Sequence, residues 1–446
     1  MSGKQTRRVF LGQTAPAVIG AGLIGARTRA AERTSALGAN DTINVGVIGC
    51  GARGKYLSYI SQITPGMRVV ALCDVNEKHL AEVHKDAGEK PAIFRDFRKL
   101  LEHKPLDVVV VATNGHWHAL PAIMACAAGK DVYLEKPIGA SVGEGRFVAD
   151  AARRHNRIVQ MGTQQRSWEH YHQAVEIIRS GELGVISTVQ VFDLENFEPF
   201  GSPADEAPPA HLDWDLWLGP APKVPYNRNR YTHHYWFHDY SGSWQSDWGV
   251  HHYDIVHWAM GVDAPEYVSG TGGRFAFTRD ESNVEWPDTF NGVAQYGPGP
   301  VARQGFQLLY TLRSRCNQRI EGRIHGKVFY GSNGVLALDR SGFDVFPQVK
   351  GEKKLIAEKT VRSAKSEHEV VQDHMKKFAE CVRDRKTPFA SADVGNRSSA
   401  PGHLMNIAYR VGRSIRWDAK SEQVLGDEEA NKLVTKPYRA PWSLTL

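Results

Sequence analysis

Short hydrophobic runs alternate with longer amphipathic segments between residues 43 and 161. The runs are rich in valine, isoleucine and leucine, which predicts buried strands, and the segments between them carry apolar residues at helical spacing. We predict strands over 44–48, 68–73, 91–94, 108–113, 131–134 and 158–161, and helices over 53–60, 77–87, 97–101, 120–128 and 141–154. Strands and helices that alternate in this way are typical of a doubly wound α/β fold with a parallel sheet.

The pattern changes after residue 166. Residues 198–230 are rich in proline, asparagine, aspartate and glycine, which predicts long loops. We predict helices over 167–179, 367–383 and 394–413, and strands over 186–192, 304–312 and 327–329 and near 266–269 and 292–295. The sequence therefore predicts two domains, an α/β domain over 41–165 and a second domain over 166–446.

The first thirty residues have the pattern of an export signal. Basic residues at positions 4, 7 and 8 precede an apolar stretch over 15–25 that is too short to span a bilayer, and residues 28–30 offer a small-residue cleavage site. Paired arginines followed by Phe10-Leu11 resemble a twin-arginine signal, and that route carries folded proteins. We expect residues 1–30 to engage the twin-arginine export machinery and bring the chain to the periplasm. The alternative is an ordinary basic N-terminus.

The predicted export signal also accounts for most of the net charge. Residues 1–30 contain five basic residues and no acidic residue, so the formal charge falls from +6 to about +1 without them. This balance gives no support to a nucleic-acid partner. The five cysteines are widely spaced without a CxxC pair, which offers neither a disulfide framework nor a zinc site.

A glycine-rich motif, Gly49-Cys50-Gly51-Ala52-Arg53-Gly54, follows the first predicted strand and opens the first predicted helix. Gly49 permits the tight turn, Gly51 lets a pyrophosphate approach the backbone, and Gly54 lets the helix pack closely on the strand. The position between a strand and a helix predicts a dinucleotide site, the alternative being a turn that is rich in glycine for structural reasons.

Asp74 ends the second predicted strand, twenty residues after Gly54. A carboxylate there accepts hydrogen bonds from the adenosine ribose and repels a 2′-phosphate, which favours NAD over NADP. Arg53 is the opposing feature, because its guanidinium would suit a 2′-phosphate if it lay near the adenosine end. The alternative role for Asp74 is a helix cap.

Glu135-Lys136-Pro137 directly follows the strand predicted over 131–134. Open α/β sheets bind ligands beyond the carboxyl ends of their strands, so Lys136 is placed for chemistry. A lysine can accept a proton from a substrate hydroxyl if desolvation or a nearby cation lowers its pKa. The residues alone leave this role and a surface lysine at a strand end as open alternatives.

Four motifs together resemble the Gfo/Idh/MocA family, which includes glucose–fructose oxidoreductase and inositol dehydrogenase. They are the glycine-rich motif, Glu135-Lys136-Pro137, His116-Trp117-His118 and Asp247-Trp248-Gly249-Val250-His251. The resemblance runs from about residue 41 to the C-terminus. It implies a Rossmann domain followed by an α+β domain with a large, mostly antiparallel open sheet, and a homo-oligomer, either a dimer or a tetramer.

The resemblance also implies the roles of individual residues. Lys136, Asp247 and His251 match the family's catalytic set. Thr113-Asn114-Gly115 stands where family members usually have Thr-Pro-Asp or Thr-Pro-Asn. The implied residues for a tightly bound nicotinamide cofactor are Gly49, Gly51, Ala52, Arg53, Gly54, Asp74, Thr113, Asn114, His118, Glu135, Lys136 and Gln164.

Residues 231–258 are rich in aromatic side chains and histidines. Aromatic faces with interspersed donors and acceptors suit a carbohydrate ring, whereas the alternative is an aromatic core segment. Several of these histidines could bind a metal, but no compact zinc motif is present and we expect no metal. The residues selected for substrate contact are Arg166, Tyr235, Trp248, His252 and His403.

Asp247 and His251 are four residues apart, so on a helical turn they face the same way. We expect Asp247 to orient the His251 imidazole and stabilise its charge, and His251 to bind the substrate or relay the proton of Lys136. The alternative is a surface pair that makes a local hydrogen bond.

These features predict an exported NAD(P)-dependent dehydrogenase that oxidises a hydroxyl carbon of a sugar, polyol or glycoside. A second hypothesis is an NAD-dependent glycoside hydrolase that passes through a transient keto-sugar without net redox change. A third is a binding protein that carries a cofactor without turning over.

Overall fold

The computed structural model describes residues 42–445, and its first sheet consists of six parallel strands. The order β3-β2-β1-β4-β5-β6 reverses direction between β1 and β4, which opens a crevice at the carboxyl ends of these two strands. The strands are β1 (Ile43–Ile48), β2 (Met67–Cys73), β3 (Ala92–Phe94), β4 (Val108–Val111), β5 (Asp131–Leu134) and β6 (Val159–Met161). The parallel α/β fold predicted for this half is confirmed.

Helices cover both faces of this sheet. The four valines of β4 alternate between the two faces: Val109 and Val111 pack in one apolar cluster, and Val108 and Val110 pack in another. A strand that is buried on both sides reads as a continuous apolar run, as this strand does. The helices of this half are α1 (Ala52–Ile63), α2 (Glu77–Asp86), α3 (Phe97–Leu101), α4 (Ala119–Ala127) and α5 (Val142–Arg154).

The second sheet has ten strands in the order β16-β13-β12-β11-β7-β10-β9-β8-β17-β18. Neighbouring strands in this sheet are antiparallel, except that β7 and β10 pair in parallel. The strands of this half, with the small β14–β15 pair, are β7 (Ile186–Leu194), β8 (Tyr267–Gly273), β9 (Thr289–Tyr296), β10 (Phe306–Arg313), β11 (His325–Gly331), β12 (Gly334–Asp339), β13 (Gly342–Pro347), β14 (Val349–Lys350), β15 (Lys353–Lys354), β16 (Lys359–Arg362), β17 (Ile415–Asp418) and β18 (Gln423–Val424). The mostly antiparallel second sheet is therefore also confirmed.

Three of the remaining helices pack on one face of this sheet and enclose its main core. The helices are α6 (Glu169–Ser180), α7 (Trp214–Leu218), α8 (Arg228–Thr232), α9 (Ser243–Asp247), α10 (Gly249–Met260), α11 (Glu367–Asp384), α12 (Ala392–Val411) and α13 (Glu428–Asn431). Those on the core face are α6, α10 and α12. Among residues 42–445, no helix combines the length and the apolar character needed to cross a membrane.

Two features of this half differ from the sequence prediction. Residues 198–230 are not loop throughout, because Asp213 caps the short helix α7 through the Leu216 backbone N–H. Helix α11 lies far along the chain yet packs on the first sheet, where Met375 and Phe378 join the cluster that contains Tyr133. The chain therefore returns to the α/β half before it adds β17 and β18 to the second sheet.

Candidate active site

The glycine-rich turn joins β1 to α1 in the crevice of the first sheet. Gly49 has a φ of +90°, in the left-handed region that glycine adopts without strain. A Cβ atom added to Gly54 would lie 1.7 Å from the Gly49 carbonyl oxygen, so the helix packs on the turn at a distance that only glycine permits. A Cβ atom added to Gly51 would meet only the His79 Nδ1, at 4.0 Å, and the first backbone N–H groups of α1 follow Gly51. This is the geometry of an anion-binding helix start.

A cleft of about 550 Å³, called the cofactor cleft below, opens at this turn. Gly49, Gly51 and Ala52 line it on one side, and Asp74 lines it at the end of β2. One Asp74 carboxylate oxygen accepts the Cys50 N–H at 2.5 Å and the other accepts the Asn76 N–H at 2.7 Å. Burial raises the pKa of Asp74, while these hydrogen bonds favour its ionised form.

A second cavity of about 370 Å³, called the catalytic cavity, adjoins the cofactor cleft. The two cavities share lining residues, so a dinucleotide in the cleft has room to extend towards the catalytic cavity. The shared residues are Arg53, Ala112, Thr113, Asn114 and His234.

Lys136 lines the catalytic cavity just beyond the carboxyl end of β5. Its Nζ donates a hydrogen bond of 2.6 Å to the backbone oxygen of Asp247. Desolvation lowers the pKa of Lys136 from its ordinary value of 10.5, although the nearby carboxylates of Asp247 and Glu135 oppose the shift. Burial therefore moves this amine towards the neutral form that accepts a proton.

Arg53 and Glu135 form an ion pair beside Lys136. The Arg53 Nε lies 2.7 Å from the Glu135 carboxylate, which is almost fully buried. Although burial favours the neutral acid, the Arg53 guanidinium holds the pKa of Glu135 below its usual value. Glu135 thus holds the Arg53 guanidinium at the boundary between the two cavities, where it is paired beside Lys136.

His118 connects the segments that follow β4 and β5. Its Nδ1 lies 2.5 Å from the Pro137 oxygen and its Nε2 lies 2.9 Å from the Thr113 oxygen. A buried imidazole between two carbonyl oxygens fixes the position of the backbone that carries Lys136. His118 lines the catalytic cavity as well.

The expected hydrogen bond between Asp247 and His251 is absent. Helix α9 ends at Asp247 and α10 begins at Gly249, so the two residues do not share one continuous helix. The Asp247 Oδ2 accepts a hydrogen bond from Ser241 instead, and neither its Oδ1 nor the His251 Nδ1 has a hydrogen-bond partner among residues 42–445. Both residues nevertheless line the catalytic cavity with Lys136.

Burial acts on these two groups in opposite directions. It raises the pKa of Asp247 and lowers the pKa of His251 well below 6.5, and the cations of Lys136 and Arg340 lower the pKa of His251 further. The His251 imidazole is therefore neutral near pH 7, and it can donate a hydrogen bond through one ring nitrogen and accept one through the other.

Comparisons with known proteins agree with this geometry. Residues 43–163 match the Gfo/Idh/MocA oxidoreductase profile described as an NAD-binding Rossmann fold, and residues 185–270 and 348–444 match the profile of the same family's C-terminal alpha/beta domain. The chain belongs to the Gfo/Idh/MocA family. The two matches together cover about two thirds of the chain.

Individual relatives of this family cover shorter stretches. An inositol 2-dehydrogenase of Serratia proteamaculans is 30% identical over 145 residues, which are 32% of this chain and 43% of that protein. A glycosyl hydrolase family 109 protein of Saccharopolyspora erythraea is 33% identical over 172 residues, which are 34% of this chain and 38% of that protein. The matches thus span less than half the length of these curated relatives.

A solved Gfo/Idh/MocA-like structure covers more of the fold. Scyllo-inositol dehydrogenase from Lactobacillus casei, with bound NAD(H) and scyllo-inositol, aligns with 84% of this chain and 99% of its own at a TM-score of 0.61. At 16% identity the likeness concerns the fold.

Several residues of the present chain that were selected from the sequence lie away from both the cofactor cleft and the catalytic cavity. Arg166 forms a buried ion pair with Asp254, with an Nε to Oδ2 distance of 2.8 Å. His252 contacts Asp193 on β7 at 3.2 Å, and the Nε2 of His403 lies 3.1 Å from the Gly139 oxygen. These three substrate assignments are therefore corrected, because internal partners take up the side chains and neither cavity is lined by them.

The other selected residues do line the catalytic cavity: Gln164, Tyr235 and Trp248. Sequence reasoning missed Arg340, whose guanidinium lies 4.8 Å from the Trp248 ring and pairs with Glu367 at 2.7 Å. Arg340 and Glu367 both line the catalytic cavity, and neither was selected from the sequence. Their local sequence carries no motif, so no pattern signal distinguishes them from ordinary surface charges.

The histidines of residues 231–258 do not assemble a metal centre. Within the described range 42–445, no three His, Cys, Asp or Glu side chains are grouped so that they could hold a metal ion. His238 instead contacts Glu285 and stacks edge-on against Trp286.

Proposed function

We propose that the protein is an NAD-dependent dehydrogenase that oxidises the hydroxyl carbon of a sugar, polyol or glycoside. The observation that carries this proposal is Lys136, a half-buried lysine with a lowered pKa whose side chain lines the cavity that adjoins the cofactor cleft. NAD in that cleft supplies the hydride acceptor. The dehydrogenases among the relatives support the class of reaction.

The chain's own residues divide the remaining work. The neutral Lys136 amine takes the proton of the substrate hydroxyl as the carbinol hydrogen leaves as hydride. The neutral His251 hydrogen-bonds the same or a neighbouring hydroxyl. Tyr235, Trp244 and Trp248 contribute aromatic faces to the cavity wall, which suit the C–H groups of a carbohydrate ring.

The cofactor cleft fits NAD better than NADP. Asp74 places a carboxylate in the lining, and Arg53, the cation of the glycine-rich motif, is paired with Glu135. A 2′-phosphate near Asp74 would meet a negative charge without this guanidinium to balance it.

Replacement of Lys136 by methionine tests the proposed reaction. Without the amine, turnover of a responsive sugar, polyol or glycoside should fall by about 10²–10⁴-fold, while the binding of NADH stays near that of the wild type. Lys130→Met is the matched control, because this half-buried lysine precedes β5 at the opposite end of the strand and lines neither cavity. Full turnover in Lys136→Met would refute the assignment.

The hydrolase hypothesis remains a second candidate, because a glycosyl hydrolase family 109 protein is among the relatives. Such a reaction oxidises and then re-reduces the sugar, so it needs no net supply of NAD. Glycosides incubated with the purified protein separate the two candidates. Cleavage without added NAD and without net NADH favours the hydrolase, and stoichiometric NADH favours the dehydrogenase.

We further propose that the protein is exported through the twin-arginine route to the periplasm and acts there as a homo-oligomer with a retained cofactor. The export proposal rests on the sequence of residues 1–30, which lies outside the described residues. Fractionation of cells that produce the wild type or an Arg7→Lys/Arg8→Lys variant tests it. The double variant should stay in the cytoplasm, and an unchanged distribution would contradict the proposal.

Size-exclusion chromatography with light scattering tests the proposed homo-oligomer.

A further inference from the structure

The cofactor cleft has a second wall opposite the glycine-rich turn. Leu216 and Trp217 line the cleft, and both belong to a segment of residues 211–219 that we call the covering segment. This segment comes from the second half of the chain, after β7. A ligand in the cleft therefore lies between the first sheet and the covering segment.

One end of the covering segment is attached beside Asp74. The Glu77 N–H donates to the His211 oxygen at 2.9 Å, and the Asp213 N–H donates to the Val75 oxygen at 3.0 Å. These backbone hydrogen bonds join the covering segment to the chain that leaves β2.

The other end is attached to Trp117. The indole N–H donates to the Trp217 oxygen at 2.9 Å and to the Leu216 oxygen at 3.2 Å. A Cβ atom added to Gly219 would lie 1.9 Å from the Trp117 ring, so the segment lies directly on the indole. His116 contacts the Trp217 oxygen as well, at 3.0 Å.

Residues 438–445, called the C-terminal strap below, cross behind this attachment. Arg439 makes four hydrogen bonds to the covering segment and to Pro220, which directly follows it. The backbone N–H of Arg439 donates to the Pro220 oxygen at 2.8 Å, and its Nε donates to the Gly219 oxygen at 2.9 Å. The other guanidinium nitrogens donate to the side chain and the backbone oxygen of Asp215 at 2.8 and 2.9 Å. One arginine of the strap thus fixes the end of the covering segment.

Trp442 of the same strap packs on two residues of the first half that line the cleft. Its ring meets the Trp117 ring edge-on at 4.8 Å and stacks with Phe97 at 6.3 Å, and the Arg98 guanidinium lies 4.9 Å from it. Trp117 and Phe97 both line the cofactor cleft. Aromatic pairs of this kind add stability beyond the area that they bury.

We propose that Arg439 and Trp442 are positioning residues for cofactor retention, which hold the cleft closed although neither lines it. Movement of the covering segment away from Trp117 would widen the cleft, and the strap opposes that movement through Arg439 on the segment and Trp442 on Trp117. Loss of either side chain therefore accelerates dissociation more than it changes the chemistry. The inference rests on the proposed function only through the binding of NAD.

The dissociation rate of NADH from the purified full-length protein tests the proposal. Protein loaded with NADH is mixed with excess NAD, and the fluorescence of bound NADH is followed with time. We expect Arg439→Ala and Trp442→Ala each to raise the dissociation rate at least tenfold. Turnover by the cofactor-saturated protein should stay within about twofold of the wild type, because the catalytic cavity is untouched.

Arg413→Ala is the matched control. Arg413 also makes several hydrogen bonds to acidic and backbone partners, Asp427 and Glu429 among them, but it lines neither cavity. Unchanged NADH dissociation in both strap variants would overturn the proposal. So would an equal acceleration in Arg413→Ala, or an acceleration that simply follows the loss of thermal stability.

Milder variants keep the test decisive if the alanine variants do not fold. Trp442→Phe keeps an aromatic ring and Arg439→Lys keeps the charge but not the forked donors. Each should accelerate NADH release by a smaller factor than the alanine variant, and wild-type rates in both would contradict the proposal. Because the assay follows binding, a failure of the dehydrogenase proposal would appear separately, as absent turnover with normal NADH retention.

Discussion

Lys136, Asp247 and His251 share one buried environment that acts on their charges in different ways. Desolvation lowers the pKa of the lysine and of the histidine, and it raises the pKa of the aspartate. Each group is therefore moved towards its neutral form. A neutral lysine beside a neutral imidazole is suited to receive a proton, which a permanently charged ammonium cannot do.

The pH dependence of turnover follows from these shifts. Lys136 must be neutral to accept a proton, so turnover should rise with pH and level off, with a midpoint below the ordinary lysine pKa of 10.5. The Asp247 carboxylate raises the pKa of Lys136, so Asp247→Asn should move the midpoint to lower pH. Single-turnover NADH formation between pH 6 and 10 measures it. Asp239→Asn, which alters a carboxylate that pairs with Arg230 and lines neither cavity, serves as the control. An unchanged or higher midpoint in Asp247→Asn would contradict the assignment.

The proposed preference for NAD over NADP rests mainly on Asp74. Asp74→Asn removes the negative charge and keeps an acceptor for only one of the two backbone N–H groups, of Cys50 and Asn76, that the two carboxylate oxygens bind. We expect the Kd of NAD to rise roughly tenfold and the preference for NAD over NADP to shrink, as for the loss of a charged hydrogen-bond partner. Titration with both cofactors measures this. Asp107→Asn, which alters a carboxylate bound to Asn44 near the opposite end of β1, should change neither affinity.

At the scale of the elements, the apolar patterns predicted those strands whose sequence is determined by burial. The strands of the first sheet were predicted because burial on both faces requires continuous apolar runs. Helix α7 was missed because it has five residues in a segment rich in proline and glycine, and its Asp213 cap is the only local signal. The break between α9 and α10 was missed because the four-residue spacing of Asp247 and His251 indicates one helical turn, whereas α9 ends at Asp247 and Ser241 binds the Asp247 carboxylate.

Rotation about a helix explains another error at this scale. His251 and His252 are neighbours, and successive helical positions are about 100° apart. His251 lines the catalytic cavity, while His252 faces Asp193 on β7. The family motif selected His251, but helical spacing alone does not exclude His252 until the packing of α10 on the second sheet is known.

Lys327 on β11 provides a stability prediction. It is fully buried between the second sheet and α6, where its Nζ contacts the Gln165 side chain at 2.9 Å, and burial lowers its pKa to about 7. The unfolded chain binds this proton up to about pH 10.5, so Lys327 makes the folded state more stable as the pH rises from about 7 to 10.5 and less stable below that window.

Lys327→Met removes the free-energy cost of burying a titratable amine. We expect the variant to be more stable than the wild type by about 2 kcal/mol at pH 7, as when buried charges are replaced by apolar groups of similar volume. Thermal unfolding at pH 7 and at pH 9.5 checks it. The difference between the two proteins should shrink at the higher pH, and a difference that grows with pH would contradict the explanation.

At the scale of the whole molecule, the site is assembled from segments that are distant in sequence. The glycine-rich turn, Lys136 and His118 come from the first half, while His251, Arg340 and Glu367 come from elements after the second sheet has begun. Family motifs predicted the first group and His251. Arg340 and Glu367 could not be predicted, because their place in the cavity depends on how the two sheets pack and not on any local pattern.

Enclosure of the cofactor cleft predicts how the protein behaves when it is purified. We expect it to retain NAD through dialysis and to release about one equivalent per chain when it is denatured, because the covering segment and the strap close the cleft. Mass spectrometry of the released material identifies the cofactor. Protein that is recovered empty, and that exchanges NADH within seconds, would contradict this expectation.

The position of the strap in the sequence has a consequence for the order of events during synthesis. Trp442 is made roughly 390 residues after Gly54, which at 5–20 residues per second corresponds to about 20–80 s on the ribosome. Throughout that interval the glycine-rich turn exists without the strap residues that hold the covering segment and Trp117. From the proposed role of the strap we expect a nascent chain to exchange the dinucleotide readily, and tight retention to begin only once the chain is complete and Arg439 and Trp442 have docked.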